Sequence, residues 1–305
     1  MLRGKLTIQG TANKPVTVQN TTVQGWWNVG GIVGETKDGV LVTGTYLTVK
    51  DTTLTSRKAT GGIIGEYGAY TAGTGSTLEH VKITDVKVQE ASASDTATYD
   101  SENGQGGVVG KCRGYLTLKD VTVSTAEPTD SSKECKIAAV ANNRVDVDGR
   151  EKGVGGLAGA VTSDAKLTLN NCTVSNITVA AEKGNAKTTG MNFPVSAGGA
   201  VGYSTGTILV DGTLSTKDVT VTTDAGRAVL GDKTREQVKH FSAGGVVGCL
   251  RGKLTTTSND YVSTITAENN KVIGMYAGGF AGTVVSYKNS DFPIKLQGKA
   301  GSKLV

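Results

Sequence analysis

One five-residue string, Gly-Gly-x-x-Gly, occurs seven times along this chain. It reads GGIVG (Gly30, Gly31, Gly34), GGIIG (Gly61, Gly62, Gly65), GGVVG (Gly106, Gly107, Gly110), GGLAG (Gly155, Gly156, Gly159), GGAVG (Gly198, Gly199, Gly202), GGVVG (Gly244, Gly245, Gly248) and GGFAG (Gly278, Gly279, Gly282). The start-to-start spacings are 31, 45, 49, 43, 46 and 34 residues, a period that belongs to solenoids and propellers. The two adjacent glycines need a physical reason: either φ is positive there, or a neighbouring backbone comes so close that no Cβ fits.

A second element recurs between the glycine motifs. It is apolar at positions 1, 3 and 8, apolar or Thr at position 6, and usually Asn or Asp at position 5: VTVQNTTV from Val16, LTVKDTTL from Leu47, VKITDVKV from Val81, LTLKDVTV from Leu116, LTLNNCTV from Leu167, with looser copies from Leu214 and Ile265. This is the pattern of two short period-2 strands whose parity changes at a corner. Such a unit cannot bury its apolar face alone, whereas stacked copies pair each strand with its equivalent in the next unit. The expected fold is therefore all-β: a right-handed parallel β-solenoid of about seven rungs, with Val16, Leu47, Val81, Leu116 and Leu167 in one inner ladder. A β-propeller is the alternative, but its blades need four antiparallel strands and only three short ones per unit are visible.

Composition agrees. Glycine and threonine number 43 each and proline only 4 in 305 residues, a turn-rich, strand-rich balance. A net charge of +5 with 37% hydrophobic residues excludes a disordered chain. Lysines and arginines are scattered among acids with no aromatic-laced basic stripe, so nucleic acid is not the expected partner. No 18-residue apolar run exists, so no membrane insertion by this segment is expected. Cys112, Cys135, Cys172 and Cys249 have no CxxC spacing, and they read as buried thiols rather than zinc ligands.

Extra length accumulates between the end of one eight-residue element and the next glycine motif: residues 89–105, 124–154, 175–197 and 222–243. Insertions recurring at one corner emerge along one edge, where recognition concentrates. Segments 131–144 and 232–241 are expected to form short helices. LRGKLTI from Leu2 matches CRGYLTL from Cys112 and LRGKLTT from Leu250, which places the first residues mid-unit. Residues 1–305 thus read as a single β-solenoid repeat domain excised from a longer chain.

Tandem GGxxG strings with Thr-rich strands between them resemble the GLUG-motif repeats of bacterial surface proteins. The resemblance covers all seven motifs and implies a secreted or cell-surface adhesin-like module, with no catalytic residues to transfer.

The expected function is a non-catalytic adhesin or stalk whose edge loops bind a host or neighbouring-cell glycan or protein, flanked by other domains of the same chain. The alternative is a polysaccharide lyase or hydrolase built on a β-helix. No GxSxG or HExxH string occurs, and the only histidines are His80 and His240, so no catalytic residue, cofactor or metal is assigned. Exposed aromatics are the natural sugar platforms: Trp26 and Trp27 first, then Tyr67, Tyr70 and Tyr99. The Asx residues Asn20, Asp51, Asp85, Asp120, Asn171, Asp218 and Asn269 are expected in one column at a left-handed corner rather than as cation ligands, and the string Asp146-Val147-Asp148-Gly149 lacks the other ligands of a calcium loop. Outward threonines Thr22, Thr53, Thr122, Thr173 and Thr220 would stack into a column. An ice-binding face is a further alternative on that ground.

Overall fold

The computed structural model describes residues 4–37, 39–68, 75–91, 103–130, 132–141, 152–183, 195–223, 241–256, 263–285, 294–295 and 303–304. The third unit shows how the sequence sets the path. Ser76–Glu90 is one strand in assignment but three legs in shape, because His80 and Asp85 adopt φ of 53° and 54°. Each left-handed residue shifts the parity, so Ser76 and Leu78, then Val81 and Ile83, then Val86, Val88 and Glu90 all point inward. Gly104–Gly106 and Val109–Cys112 form the fourth and fifth legs on either side of the glycine corner.

Successive units pair leg on leg, and all pairings between named strands are parallel. The fourth legs form one seven-stranded sheet and the fifth legs another, each with its strands in chain order. The motif glycines stack directly: Gly30 on Gly61, then Gly106, Gly155, Gly198, Gly244 and Gly278. The first three legs join in a 17-stranded sheet that wraps the core. This is an all-β, parallel, solenoid-like coil. The propeller is set aside, since strands of one unit pair with the next unit and not antiparallel within a blade.

Close approach, not positive φ, explains the paired glycines. Among the described residues the only positive-φ glycines are Gly39 and Gly212. A Cβ on Gly62 would stand 2.0 Å from the carbonyl oxygen of Gly107, and one on Gly107 would stand 2.1 Å from that of Gly156. The first glycine faces its own turn: a Cβ on Gly106 would meet the Val109 carbonyl at 2.0 Å.

The inner ladder differs from expectation. It runs Val16, Leu47, Val81, Val121, Cys172, Leu214, Ile265, whereas Leu116 and Leu167 pair with each other one leg earlier, Leu116 lying opposite Ser76. The eight-residue string covers legs two and three in the early units but legs one and two around Leu116 and Leu167. Both corners take a left-handed residue and both change parity, so one pattern fits either pair of legs.

The seven Asx residues all adopt φ between 46° and 54°, as their turn chemistry requires. They divide between two corners, however. Asp120 and Asn171 share the first with Tyr46 and His80, and Asn20, Asp51, Asp85, Asp218 and Asn269 share the second with Asn176.

Four inserts do leave at one corner, between the third and fourth legs: Glu90 to Gly104, Ala141 to Lys152, Lys183 to Val195 and Thr222 to Ser242. The segment 124–154 is nevertheless two inserts, because Lys136–Ala141 is a strand paired with Lys87–Gln89 below and Thr178–Lys183 above. Ladder partners on both sides override any helical tendency there, and the expected helix over 131–144 is not formed across 136–141. Of 232–241, residues 232–240 lie outside the described residues, and Phe241 is buried in the core. No helix occurs among the described residues.

Candidate functional site

Trp26 and Trp27 lie at the corner between the third and fourth legs of the first unit, between Gln24 and Asn28. This is the corner from which the long inserts emerge in later units. In the first two units the connection is short, so its side chains meet solvent. Trp26 is 57% and Trp27 50% exposed, the most exposed large hydrophobic side chains among the described residues. The equivalent residues of the next rung are Arg57 and Lys58, since Asn28 pairs with Ala59. The Arg57 guanidinium lies 3.6 Å from the Trp26 ring centroid and the Lys58 ammonium 3.8 Å from that of Trp27, well inside cation–π range. Lys58 is tied down through its backbone, its N–H donating to Trp27 O (3.1 Å) and its carbonyl accepting from Gln105 Nε2 (2.9 Å). Two indoles fixed on one face and open on the other, beside two cations, form a platform for planar or apolar ligand faces.

The other aromatic candidates do not join it. Tyr67 is fully buried, and its hydroxyl donates to the Tyr115 carbonyl at 3.1 Å. Burial holds that hydroxyl above its usual range, and a ring without an exposed face offers no platform. Tyr70, Tyr99, His240 and the Asp146–Gly149 string lie outside the described residues.

A second constellation, missed in the sequence, runs up the first corner. Tyr46 stacks on His80 (centroids 4.5 Å apart, 21° between planes), and His80 Nδ1 lies 3.6 Å from Asp120 Oδ2. Asn171 Nδ2 donates to Asp120 Oδ1 (3.1 Å), and the Thr213 hydroxyl donates to Asn171 Oδ1 (2.8 Å). Neither Tyr46 nor His80 was legible as a corner residue because neither is Asx, although each directly precedes a recognised strand at Leu47 and Val81. Glu79, His80 and Asp120 bring ligand atoms within 4.8 Å of one another. The geometry nevertheless suits a metal poorly. The carboxylates face opposite ring nitrogens, with Glu79 Oε1 3.6 Å from Nε2, and Lys119 Nζ already holds Glu79 Oε1 at 2.6 Å.

The expected threonine column is divided in the same way as the Asx column. Thr22 and Thr53 stack on the third leg but meet Lys87 and Lys136 before Thr178 and Thr220. Thr122 and Thr173 belong to the second leg, where Lys82 interrupts. Neither leg presents the unbroken hydroxyl array an ice face requires.

All four cysteines are free and buried. Burial pushes the thiols of Cys112, Cys135 and Cys172 up from 9.0 to about 12, so at pH 8 about one in 10⁴ is thiolate and none is a competent nucleophile. Native protein at pH 8 is expected to leave these three unreactive to a disulfide reagent until it is unfolded. The same shift sets a sign for stability. Above about pH 9 the unfolded chain releases thiol protons that the folded chain retains, so stability is full below that pH and falls as the pH rises toward 12. Melting at pH 8 and at pH 10.5, compared with a variant carrying alanine at all three positions, measures it, and the parent is expected to lose more on alkalinisation.

Comparison with family models, with curated proteins and with solved structures returned no match.

Proposed function

We propose that this chain is a non-catalytic, extracellular module of a bacterial surface protein of the GLUG-repeat type. In this reading it is a right-handed β-solenoid of about seven rungs acting as an adhesin or stalk, and it recognises a glycan or protein along the edge that carries the inserts. The observation that carries this reading is the Trp26/Trp27 pair: two half-exposed indoles, each backed by a cation from the next rung, on the insert edge itself. Leaving indoles in water forfeits apolar burial that a ligand would recover, and aromatic and Arg side chains are those that dominate recognition energetics.

The test is binding of the full chain to a glycan array and to immobilised host surface proteins, beside a variant carrying Trp26→Ala and Trp27→Ala. The double variant is expected to lose at least about tenfold in affinity, the effect of removing a binding hot spot, while its melting temperature stays close to the parent's because both side chains are exposed. A variant that keeps the parent's affinity for every ligand the parent binds, or depolymerisation of a polysaccharide by the parent, would remove the reading.

A further inference from the structure

A trough of about 590 Å³ crosses the outer face of the second legs of the early units, on a different leg from the tryptophan corner. Its floor is in strand register, with Thr48 beside Lys82 and Lys50 beside Thr84. One wall is the stacked Tyr46–His80 pair, continued by Ala12 and Pro15. The opposite wall is an insert from the fourth unit, residues 126–130 and 132–134, folded back over the corners of the second and third. Two contacts hold that insert to the earlier units: Ala126 N donates to Asp85 Oδ1 (2.9 Å) and Lys133 Nζ to Asp51 Oδ1 (2.6 Å), while Ser132 N donates to Asp130 Oδ1 (2.8 Å) within it. A wall brought from two units away and anchored at both ends makes this a built groove rather than a gap between side chains.

Its chemistry is mixed in a definite order. Lys50 and Lys82 extend from the floor, exposed and with no partner among the described residues, and Glu127 stands exposed on the insert. Leaving His80 aside, three lysines (50, 82 and 133) and three acids (Asp51, Asp85 and Glu127) line the trough, so the formal charges cancel. Lys133 is paired with Asp51, which leaves Lys50 and Lys82 on the floor against Asp85 at the corner and Glu127 on the insert, so a strongly anionic ligand gains from the lysines what it loses at the acids, and a cation meets the reverse. Hydroxyl groups accept and donate at once, so a polyol satisfies ammonium donors on one side and carboxylate acceptors on the other without a net charge of its own. Tyr46, Ala12 and Pro15 in the lining supply the apolar surface that a pyranose ring needs.

We infer that this trough binds a neutral saccharide, as a site separate from the tryptophan platform and independent of it. The test uses the full chain on an array of neutral gluco-, galacto-, manno- and xylo-oligosaccharides with oligouronates and sulfated oligosaccharides as the charged arm. Titrations of the hits follow at 50 and 500 mM salt. At least one neutral oligosaccharide is expected to bind, with affinity changing less than about twofold across that salt range because exposed unpaired charges do not drive it. Lys82→Ala combined with Glu127→Ala, both exposed, should melt like the parent and weaken that binding at least tenfold, whereas Trp26→Ala with Trp27→Ala should leave it unchanged. A groove-filling Thr48→Trp should abolish it by occlusion. The inference is overturned if no neutral sugar binds, if only charged glycans bind with steep salt dependence, or if the tryptophan variant and not the groove variants removes binding. That last outcome would leave the tryptophan reading standing while ending this one.

Discussion

Replacing Gly107 with alanine is expected to destabilise the protein by about 3 kcal/mol or more, beyond the usual overpacking range because the obstruction is backbone. The added Cβ would lie 2.1 Å from the Gly156 carbonyl oxygen, with Val123 and Ile137 side chains at 3.0 and 3.1 Å. That carbonyl lies between two that are held in the ladder, since Gly155 O accepts from Gly107 N at 3.1 Å and Leu157 O from Val108 N at 2.9 Å, so it cannot swing away without disturbing those bonds. The only relief is separation of two rungs at the glycine corner. Gly279 is the control within the same chain. It is the second glycine of the seventh motif, yet a Cβ there meets nothing within 4 Å, so Gly279→Ala should stay within about 0.5 kcal/mol of the parent. Urea denaturation of both variants decides the matter. Similar midpoints for the two would mean that propensity, and not rung contact, explains the motif.

That contrast also shows what could be read from the chain and what could not. The stacking of Gly30 through Gly278 followed from the repeat itself, and the left-handed φ of all seven Asx residues followed from side-chain chemistry that acts within a few residues. Register was not legible by the same means. LTLKDVTV from Leu116 and VKITDVKV from Val81 obey one pattern, but they stack five residues out of step, because Val81 pairs with Val121. Which of two equally patterned pairs of legs a string occupies is fixed by its pairing with the next rung, not by its periodicity. The consequence for function is direct. Misplacing Asp120 by one corner hides the Tyr46–His80–Asp120–Asn171 stack, and merging the inserts of 124–154 hides the wall of the trough. The tryptophans were legible because they are rare and lie next to a motif, whereas Tyr67 was misjudged because a loop-like position in sequence is the inward end of the fifth leg in space. The five-threonine ladder Thr7, Thr43, Thr77, Thr117, Thr168 on the first leg was missed for the same reason of register.

Glu90→Ala is expected to cost about 3–5 kcal/mol, the range for removing one partner of a buried ion pair. Glu90 ends the third leg of the third unit with its side chain fully buried, and Lys152, 5% exposed, opens the fourth leg of the unit above. The two side chains pair directly. Glu90 Oε2 also accepts from Val140 N at 2.9 Å, and Lys152 Nζ donates to the Val140 carbonyl at 3.3 Å. The pair therefore bridges two rungs at the corner where the inserts leave, and it supplies hydrogen-bond partners where the ladder is interrupted. Removing the carboxylate takes from a buried ammonium the charge partner that Glu90 supplies. Glu90→Leu with Lys152→Met removes both charges and should recover most of the loss, since desolvating the pair offsets much of its attraction. A double-mutant cycle read by urea denaturation tests this, and coupling well above 1 kcal/mol is the expected result. If the losses of the two single variants simply add, the pair is two independent side chains, and the alignment of the insert-bearing corner rests on the glycine ladder alone.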